Sequence, residues 1–198
     1  MSQRRNIPRI TGGAWKGRPL AGGVPKGTRP TSSKIREALG SRLNNSFSGA
    51  HVLDVFAGAG ALSIEALSRG AARALALEKN PKALSCIRKS VQDFGARDRF
   101  ESRCVDALNF LRRGRPSPMS YFDIVFVDPP YASKLAAKTL TALISGDWLS
   151  SNAQIVVESS ARDDTITPPP GLAILNSRRY GDTLISLYCK TPLEGECT

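Results

Sequence analysis

Short apolar runs alternate with longer amphipathic stretches between residues 51 and 158. The short runs predict buried strands, and the longer stretches, whose apolar residues recur every three or four positions, predict helices. The predicted strands cover 51–57, 73–78, 100–105, 123–128 and 154–158. The predicted helices between them cover 60–69, 81–94, 107–113 and 134–145. This alternation predicts an α/β fold, with helices on both faces of a mostly parallel sheet.

The last part of the chain has a different pattern. After a run of three prolines and a glycine come two extended segments, 172–180 and 183–189, with only Gly181 and Asp182 between them. A two-residue connection of this kind is typical of a β-hairpin. We therefore predict a terminal antiparallel hairpin that brings the sheet to seven strands.

The first part of the chain predicts an extension to this core. A helix is expected to begin at Ser33, with Ser32 or Ser33 as its N-cap. Before it, residues 7–22 combine glycine pairs with short extended pieces, which favours a small β-hairpin. The predicted organisation is a basic N-terminal hairpin extension over 1–30 and a main domain over 31–198.

Charge is concentrated near the N-terminus. The chain has 28 basic and 17 acidic residues and a net charge of +11, and residues 1–36 hold nine of the basic residues and no acidic one. Such asymmetry indicates a surface that binds a polyanion, although a solvated basic tail is the alternative. Trp15 could stack on a base or pack within the hairpin. The candidate RNA contacts are Arg4, Arg5, Arg9, Trp15, Lys16, Arg18, Arg29, Thr31, Lys34 and Arg36.

Several classes of protein are disfavoured. No apolar run reaches 18 residues and no apolar segment follows the N-terminal charges, so we expect neither a membrane span nor a secretory signal. The four cysteines form no CxxC pair, which predicts free thiols in a cytoplasmic protein. His51 is the only histidine, so a metal site or a Ser-His-Asp triad is not expected. We expect a monomer.

A cofactor site is predicted where the strands end. Gly58 and Gly60 follow the first strand and its terminal Asp54, but the third glycine of a dinucleotide fingerprint is missing. Glu78 ends the second strand, where a carboxylate can accept from ribose hydroxyls, and Asp106 ends the third, where one can accept from an adenine amino group. Cationic S-adenosylmethionine, which has no phosphates, fits this set. The predicted cofactor-binding residues are Asp54, Phe56, Gly58, Gly60, Glu78, Lys79, Asp106, Ala107 and Asp128.

The fourth strand ends in Asp128-Pro129-Pro130-Tyr131, which we predict to be catalytic. The prolines leave only carbonyl acceptors on the local backbone, the Asp adds two acceptor oxygens, and the Tyr adds a flat face. This set suits an exocyclic amino group held against an aromatic ring. The carboxylate matches the donor–donor edge of guanine, whereas an Asn would match the edge of adenine better.

Five motifs together resemble a known family. They are Arg9-Ile-Thr-Gly-Gly-x-x-x-Gly-Arg18, Arg29-Pro-Thr-x-x-x-x-Arg36-Glu37, Leu53-Asp-x-Phe-Ala-Gly-x-Gly-Ala-Leu62, Glu65-Ala-Leu-Ser-Arg-Gly70 and Phe126-Val-Asp-Pro-Pro-Tyr131. In this order they are similar to the bacterial RsmD-type family of 16S rRNA guanine-N2 methyltransferases. The resemblance implies a class I, Rossmann-like methyltransferase fold, methyl transfer to one guanine of 16S rRNA in the small ribosomal subunit, and an N-terminal hairpin that helps to hold the RNA.

Other functions stay open from the sequence. A DNA adenine-N6 methyltransferase is disfavoured because the chain has no room for a separate target-reading domain. A non-catalytic RNA-binding module with a vestigial pocket is disfavoured because the Asp-Pro-Pro-Tyr tetrad and Glu78 are intact. A nicotinamide oxidoreductase would need the missing third glycine.

Overall fold

The computed structural model describes residues 7–21, 32–130 and 133–191. Within these ranges the helices are α1 Ser33–Arg42, α2 Ala61–Ser68, α3 Pro81–Asp93, α4 Ala107–Leu111 and α5 Ser133–Ser145. The strands are β1 His51–Asp54, β2 Arg73–Glu78, β3 Phe100–Cys104, β4 Phe122–Val127, β5 Leu149–Ser160, β6 Leu172–Tyr180 and β7 Thr183–Lys190. Short 3₁₀ turns lie at Gly13–Trp15, Asn44–Ser46 and Arg97–Arg99.

The seven strands form one sheet in the order β3-β2-β1-β4-β5-β7-β6. The pairs among β1 to β5 are parallel, whereas β7 lies antiparallel between β5 and β6. The predicted α/β class, seven-stranded sheet and terminal antiparallel hairpin are therefore confirmed. The strand order changes direction between β1 and β4, and ligands bind open α/β sheets at the carboxyl ends of the strands beside such a point.

Two apolar clusters cover the two faces of the sheet. One combines residues of α1, α2 and α3, such as Leu39, Ile64 and Ile87, with one side of the strands. The other combines residues of α4 and α5, such as Leu111 and Leu140, with the opposite side. Helices on both faces explain why the central strands β1, β2 and β4 are apolar between the polar residues at or beside their ends.

Helix starts follow local capping chemistry. The Ser32 hydroxyl accepts from the Ile35 N–H at 3.2 Å, which identifies Ser32 as the N-cap of α1. Asn80 caps α3, and Pro81 occupies the first turn, where its missing N–H costs nothing.

Two strand boundaries differ from the prediction by three residues or more. β1 ends at Asp54 instead of residue 57. β5 begins at Leu149 instead of Gln154: Leu149 pairs with Phe122 and Gln154 with Ile124, so β5 has three extra residues between these two pairs. A period-two pattern is not visible in such an irregular strand end.

The predicted N-terminal β-hairpin is short. Arg9 and Pro19 form an antiparallel bridge, and beside it the Ile10 N–H donates to the Arg18 carbonyl at 3.0 Å and the Leu20 N–H to the Pro8 carbonyl at 2.9 Å. The 3₁₀ turn Gly13–Trp15 lies between the two arms, and we call residues 7–21 the N-terminal loop. Ile10 and Leu20 are buried in the same cluster as α1, α2 and α3, which attaches the loop to the body of the protein. In the described part of the chain, no helix has the length and apolarity that a membrane span requires.

Candidate active site at the carboxyl edge of the sheet

A glycine turn leads from β1 into α2. Gly58 and Gly60 have φ angles of 54° and 72°, in the left-handed region that favours glycine. A Cβ atom on Gly60 would lie 2.8 Å from Cγ2 of Ile87 on α3. The turn therefore requires glycine at position 60 both for its backbone conformation and for its packing.

Asp54 supplies the helix cap that Gly60 cannot. Its Oδ2 accepts from the Ser63 hydroxyl at 2.6 Å and from the Ser63 N–H at 3.2 Å, inside the first turn of α2. The residue is only 1% exposed. Asp54 therefore holds the glycine turn in place, and its predicted role in cofactor binding stays a prediction.

Burial raises the pKa of Asp54 to about 7. Its hydrogen bonds to Ser63 oppose the shift, while the charges of Asp128 and Glu78 raise this pKa further. The geometry agrees with this coupling: Phe126, two residues before Asp128, pairs with Asp54, and Glu78 accepts from the Gly58 N–H. The ends of β1, β2 and β4 therefore bring these three carboxylates to one part of the sheet edge.

A pH titration can test the environment of Asp54. The native pKa lies above the ordinary value, so the folded state holds an extra proton between about pH 4 and pH 7. The free energy of unfolding should therefore fall as pH rises through this window, by up to about 4 kcal/mol from this group. In Asp54→Asn, which mimics the neutral acid, this component should be absent. Urea unfolding at several pH values measures the free energy of unfolding of both proteins. The same dependence of this free energy on pH in both proteins would contradict the raised pKa of Asp54.

Glu78 stiffens the turn from the end of β2. Its Oε2 accepts from the Gly58 N–H at 2.8 Å, and its Oε1 accepts from the Asn80 N–H at 2.7 Å. Each carboxylate oxygen can accept a second hydrogen bond. The side chain is half-buried, so it links the glycine turn to β2 and still has acceptor capacity at the edge of the sheet.

The remaining predicted cofactor residues differ in exposure. Asp106 is exposed and caps α4, because its Oδ1 accepts from the Asn109 N–H at 2.8 Å. Ala107 is buried, Phe56 is half-buried and Lys79 is exposed. Capping leaves the second oxygen of Asp106 outside this hydrogen bond, so its predicted contact with a base stays a prediction.

The Asp-Pro-Pro segment follows β4 directly. Asp128 and Pro129 are half-buried, and Pro130 is exposed. The influence of Asp128 on the pKa of Asp54 puts it beside the glycine turn. Tyr131 lies outside the described residues.

Arg36 is corrected from an RNA contact to a buried structural residue. It is 2% exposed, and its Nη2 donates to the Arg9 carbonyl at 2.8 Å. Its Nε lies 3.9 Å from Oε2 of Glu65, and burial lowers the pKa of Arg36 while Glu65 opposes that shift. The buried Arg36, near the start of α1, therefore has Glu65 as its partner within the protein.

The structure also resolves the alternatives for Trp15. Its ring stacks on Phe94 with centroids 4.9 Å apart, and the backbone N–H of Trp15 donates to the Ser68 hydroxyl at 2.9 Å. Trp15 therefore packs the N-terminal loop against α2 and α3. The guanidinium of the exposed Arg18 lies over the Phe94 ring, 4.3 Å from its centroid.

The other predicted RNA contacts fall into two groups. Arg9, Lys16 and Lys34 are exposed, as a contact with phosphate requires. The residues outside the described part of the chain are Arg4, Arg5, Arg29 and Thr31.

Glu65 is a structural centre that the sequence interpretation did not assign. It is 3% exposed, and its carboxylate accepts from the Thr11 N–H at 2.9 Å and from Arg69 Nη2 at 3.0 Å. Ser68, one turn further along α2, donates to the Gly12 carbonyl at 2.6 Å. The signal was an acidic residue inside an otherwise apolar helix, since a buried charge requires partners.

The described residues contain no group of three histidine, cysteine, aspartate or glutamate side chains that could hold a metal ion. Cys86, Cys104 and Cys189 are free thiols.

The strand order, the glycine turn and the Asp-Pro-Pro segment together define a methyltransferase fold. A solved structure titled "Putative methyltransferase yhhF from Escherichia coli" has it too, with a TM-score of 0.82, 33% identity and coverage of 93% of this chain and 98% of that one. The chain belongs to the family described as conserved hypothetical protein 95, whose model matches residues 8–189.

Curated relatives of the chain carry a more specific name. The protein "Ribosomal RNA small subunit methyltransferase D" of Haemophilus influenzae is 33% identical over 181 residues, which cover 91% of this chain and 92% of the relative. The protein of the same name from Escherichia coli strain K12 is 36% identical over 183 residues, which cover 91% and 88%. The similarity to the RsmD-type family is therefore confirmed over almost the whole chain, and with it methyl transfer to ribosomal RNA.

Proposed function

We propose that this protein transfers a methyl group from S-adenosylmethionine to the exocyclic N2 amino group of a guanine in 16S rRNA, on the small ribosomal subunit. The observation that carries the proposal is the convergence of Asp54, Glu78 and Asp128 beside a glycine turn, at the strand ends that the Asp-Pro-Pro segment follows. The names of the relatives support rRNA as the substrate.

The chemistry of this site fits S-adenosylmethionine. Burial is the main cause of the raised pKa of Asp54, and the charges of Asp128 and Glu78 add to it, so a cationic ligand would relieve the repulsion among these carboxylates. Glu78, with acceptor capacity left on both oxygens, would accept from the ribose hydroxyls, and the turn at Gly58 and Gly60 lets a ligand approach the backbone. When bound, the cofactor supplies an electrophilic methyl group on a positively charged sulfur.

The Asp-Pro-Pro segment would position the nucleophile. The lone pair of a guanine N2 amino group is delocalised into the ring, so the nitrogen is a poor nucleophile in its planar form. Hydrogen bonds from its two N–H groups to the Asp128 carboxylate and the Pro129 carbonyl would favour a tetrahedral nitrogen and direct its lone pair at the methyl group. The amine can lose a proton after transfer, so no strong base is required. Tyr131 would stack on the extruded base.

Guanine is proposed over adenine because of Asp128. A carboxylate only accepts, and the N1–H and N2–H₂ edge of guanine only donates. The N1 and N6 edge of adenine presents one acceptor and one donor. RNA would be held through its phosphates by exposed cations of the N-terminal loop, among them Arg9, Lys16 and Arg18.

Glu78→Gln is expected to weaken S-adenosylmethionine binding by about tenfold to a hundredfold. The new amide would direct an N–H₂ at the Gly58 or Asn80 N–H and disturb the turn, and charge-assisted hydrogen bonds are worth about 1.5–3 kcal/mol. Isothermal titration calorimetry measures the dissociation constant. Glu101→Gln, which changes an exposed carboxylate on β3, is the matched control and should bind like the unaltered protein. Equal affinities for both variants would remove Glu78 from the cofactor site.

The decisive experiment for the proposed function uses undermethylated small ribosomal subunits. These are incubated with the protein and methyl-labelled S-adenosylmethionine, and the rRNA is digested to nucleosides and separated. Label in N2-methylguanosine supports the proposal. Label in N6-methyladenosine would support the adenine alternative, and no label in any nucleoside would support a binding module without activity.

A further inference from the structure

A groove lies between α3 and the outer edge strand β3, away from the carboxylates. Its volume is about 460 Å³. Arg88, Lys89 and Arg97 line it together with Gln92 and Ser102. The three cationic residues are exposed, so the groove opens to solvent.

The positive charge of this groove is not neutralised within the described part of the chain. Arg88 donates through Nε to the Ser102 hydroxyl at 3.0 Å, which orients its guanidinium along the groove. Among the described residues neither Lys89 nor Arg97 has an ion pair, and no acidic side chain lines the groove. The nearby Glu101 is paired with Arg103 at 2.6 Å.

The basic N-terminal loop contacts the same helix, α3, that forms one wall of the groove. Arg18 Nη2 donates to the Asp93 carbonyl at 2.7 Å, at the last residue of α3. The Ala21 N–H donates to the Ser90 hydroxyl at 3.0 Å, on the same helix. Cations of the loop and of the groove therefore lie along one half of α3, and the surface that they form is larger than the N-terminal segment alone.

We propose that the α3–β3 groove, defined by Arg88, Lys89 and Arg97, binds the phosphate backbone of RNA and extends the contact surface of the N-terminal loop. Guanidinium and ammonium groups with hydroxyl and amide neighbours are the donors that phosphate contacts use. The groove supplies affinity and orientation and does not read sequence, because contacts to phosphate carry no sequence information. This inference rests on the proposed function, which makes RNA the partner.

The groove lies at a distance from the reacting groups. α3 runs from the carboxyl edge of the sheet at Pro81 back toward the amino edge, and Arg88 is seven residues, or about 10 Å, along it. Phe100, at the start of β3, also lines the groove and lies toward the amino edge. An RNA that contacts both the α3–β3 groove and the carboxyl edge of the sheet must pass around the side of the protein. A structured RNA or a ribosomal subunit can do so.

The test compares two double variants that remove the same charge. Arg88→Gln/Arg97→Gln alters the groove, and Arg178→Gln/Arg179→Gln alters two exposed arginines on β6, at the opposite edge of the sheet. Binding to a fluorescently labelled RNA stem-loop and to undermethylated small subunits is measured from about 50 to 200 mM salt. The groove variant should lower the slope of log affinity against log salt by about two, one for each lost phosphate contact, and the control should keep the slope of the unaltered protein.

Three results would overturn the inference. One is an unchanged slope in the groove variant. Another is an equal loss of slope in both variants, which would indicate only net charge. The third is weaker binding to subunits with unchanged binding to the stem-loop, which would indicate a ribosomal protein as the partner. Thermal unfolding and cofactor titration verify that both variants are folded. Because the slope is a binding measurement, failure of methyl transfer by the unaltered protein would reject the proposed function separately.

Discussion

Asp128→Asn is expected to lower kcat for methyl transfer to guanine by about 10²–10³-fold, which is the typical loss when one preorganised polar contact to the reacting group is removed. The amide keeps one acceptor but directs an N–H₂ at an edge of guanine that only donates. Cofactor affinity should fall much less than kcat, because Glu78 and the glycine turn are unchanged and only one of three carboxylates near the cationic cofactor is neutralised. Single-turnover assays on undermethylated subunits measure the rate.

Two comparisons make the Asp128 result specific. Asp164→Asn removes an exposed carboxylate and should leave the rate unchanged. Asp128→Asn also removes a charge that raises the pKa of Asp54, so the pH at which Asp54 titrates should fall. Normal activity together with the lower Asp54 pKa would show that Asp128 lies in the site without orienting the amine.

Glu65→Ala is expected to lower the free energy of unfolding by about 3–5 kcal/mol. The substitution leaves Arg36 and Arg69 buried without their carboxylate and the Thr11 N–H without its acceptor. Since single domains have about 5–15 kcal/mol of stability in total, this is a large fraction of it. Urea denaturation followed by circular dichroism measures the change. Glu65→Gln keeps one acceptor oxygen, so its free energy of unfolding should fall less. It provides a folded variant if Glu65→Ala does not fold.

Glu101→Ala is the matched control for the buried carboxylate. Its pair with Arg103 is shorter, at 2.6 Å, than the 3.0 Å between Glu65 and Arg69. Its side chains are 55% and 41% exposed, whereas those of Glu65 and Arg69 are 4% and 10% exposed. Removal of an exposed pair costs about 1 kcal/mol or less. Similar losses in both variants would mean that burial does not determine the contribution of Glu65.

The Glu65 cluster explains a wrong expectation about charge. Arg36 is one of the nine basic residues in the N-terminal 36, and all of them were counted toward an RNA-binding surface. The structure uses Arg36 to join α1, α2 and the N-terminal loop. Net charge along the chain does not distinguish a cation that faces solvent from one that has a buried partner.

The α3–β3 groove shows the opposite case. Beyond residue 36 the chain is near neutral in total, because acidic residues elsewhere cancel its basic ones. Arg88 and Arg97 come together only because α3 packs against the edge strand β3. A charge sum along the chain cannot reveal a patch that forms between two elements.

The amino-acid pattern is enough to predict the elements and the kind of site. Periodicity reports which residues face the core and so predicts the helices and strands, and glycines and acids at strand ends predict a cofactor edge in a parallel sheet. The role of each charged side chain becomes visible in the folded chain. In the fold, Asp54 is buried and caps α2 through Ser63, Arg36 lies next to Glu65, and Trp15 packs on Phe94. The physical reason is that the free energy of a charged or aromatic group depends on its burial and its neighbours in space, which residue type and spacing do not specify.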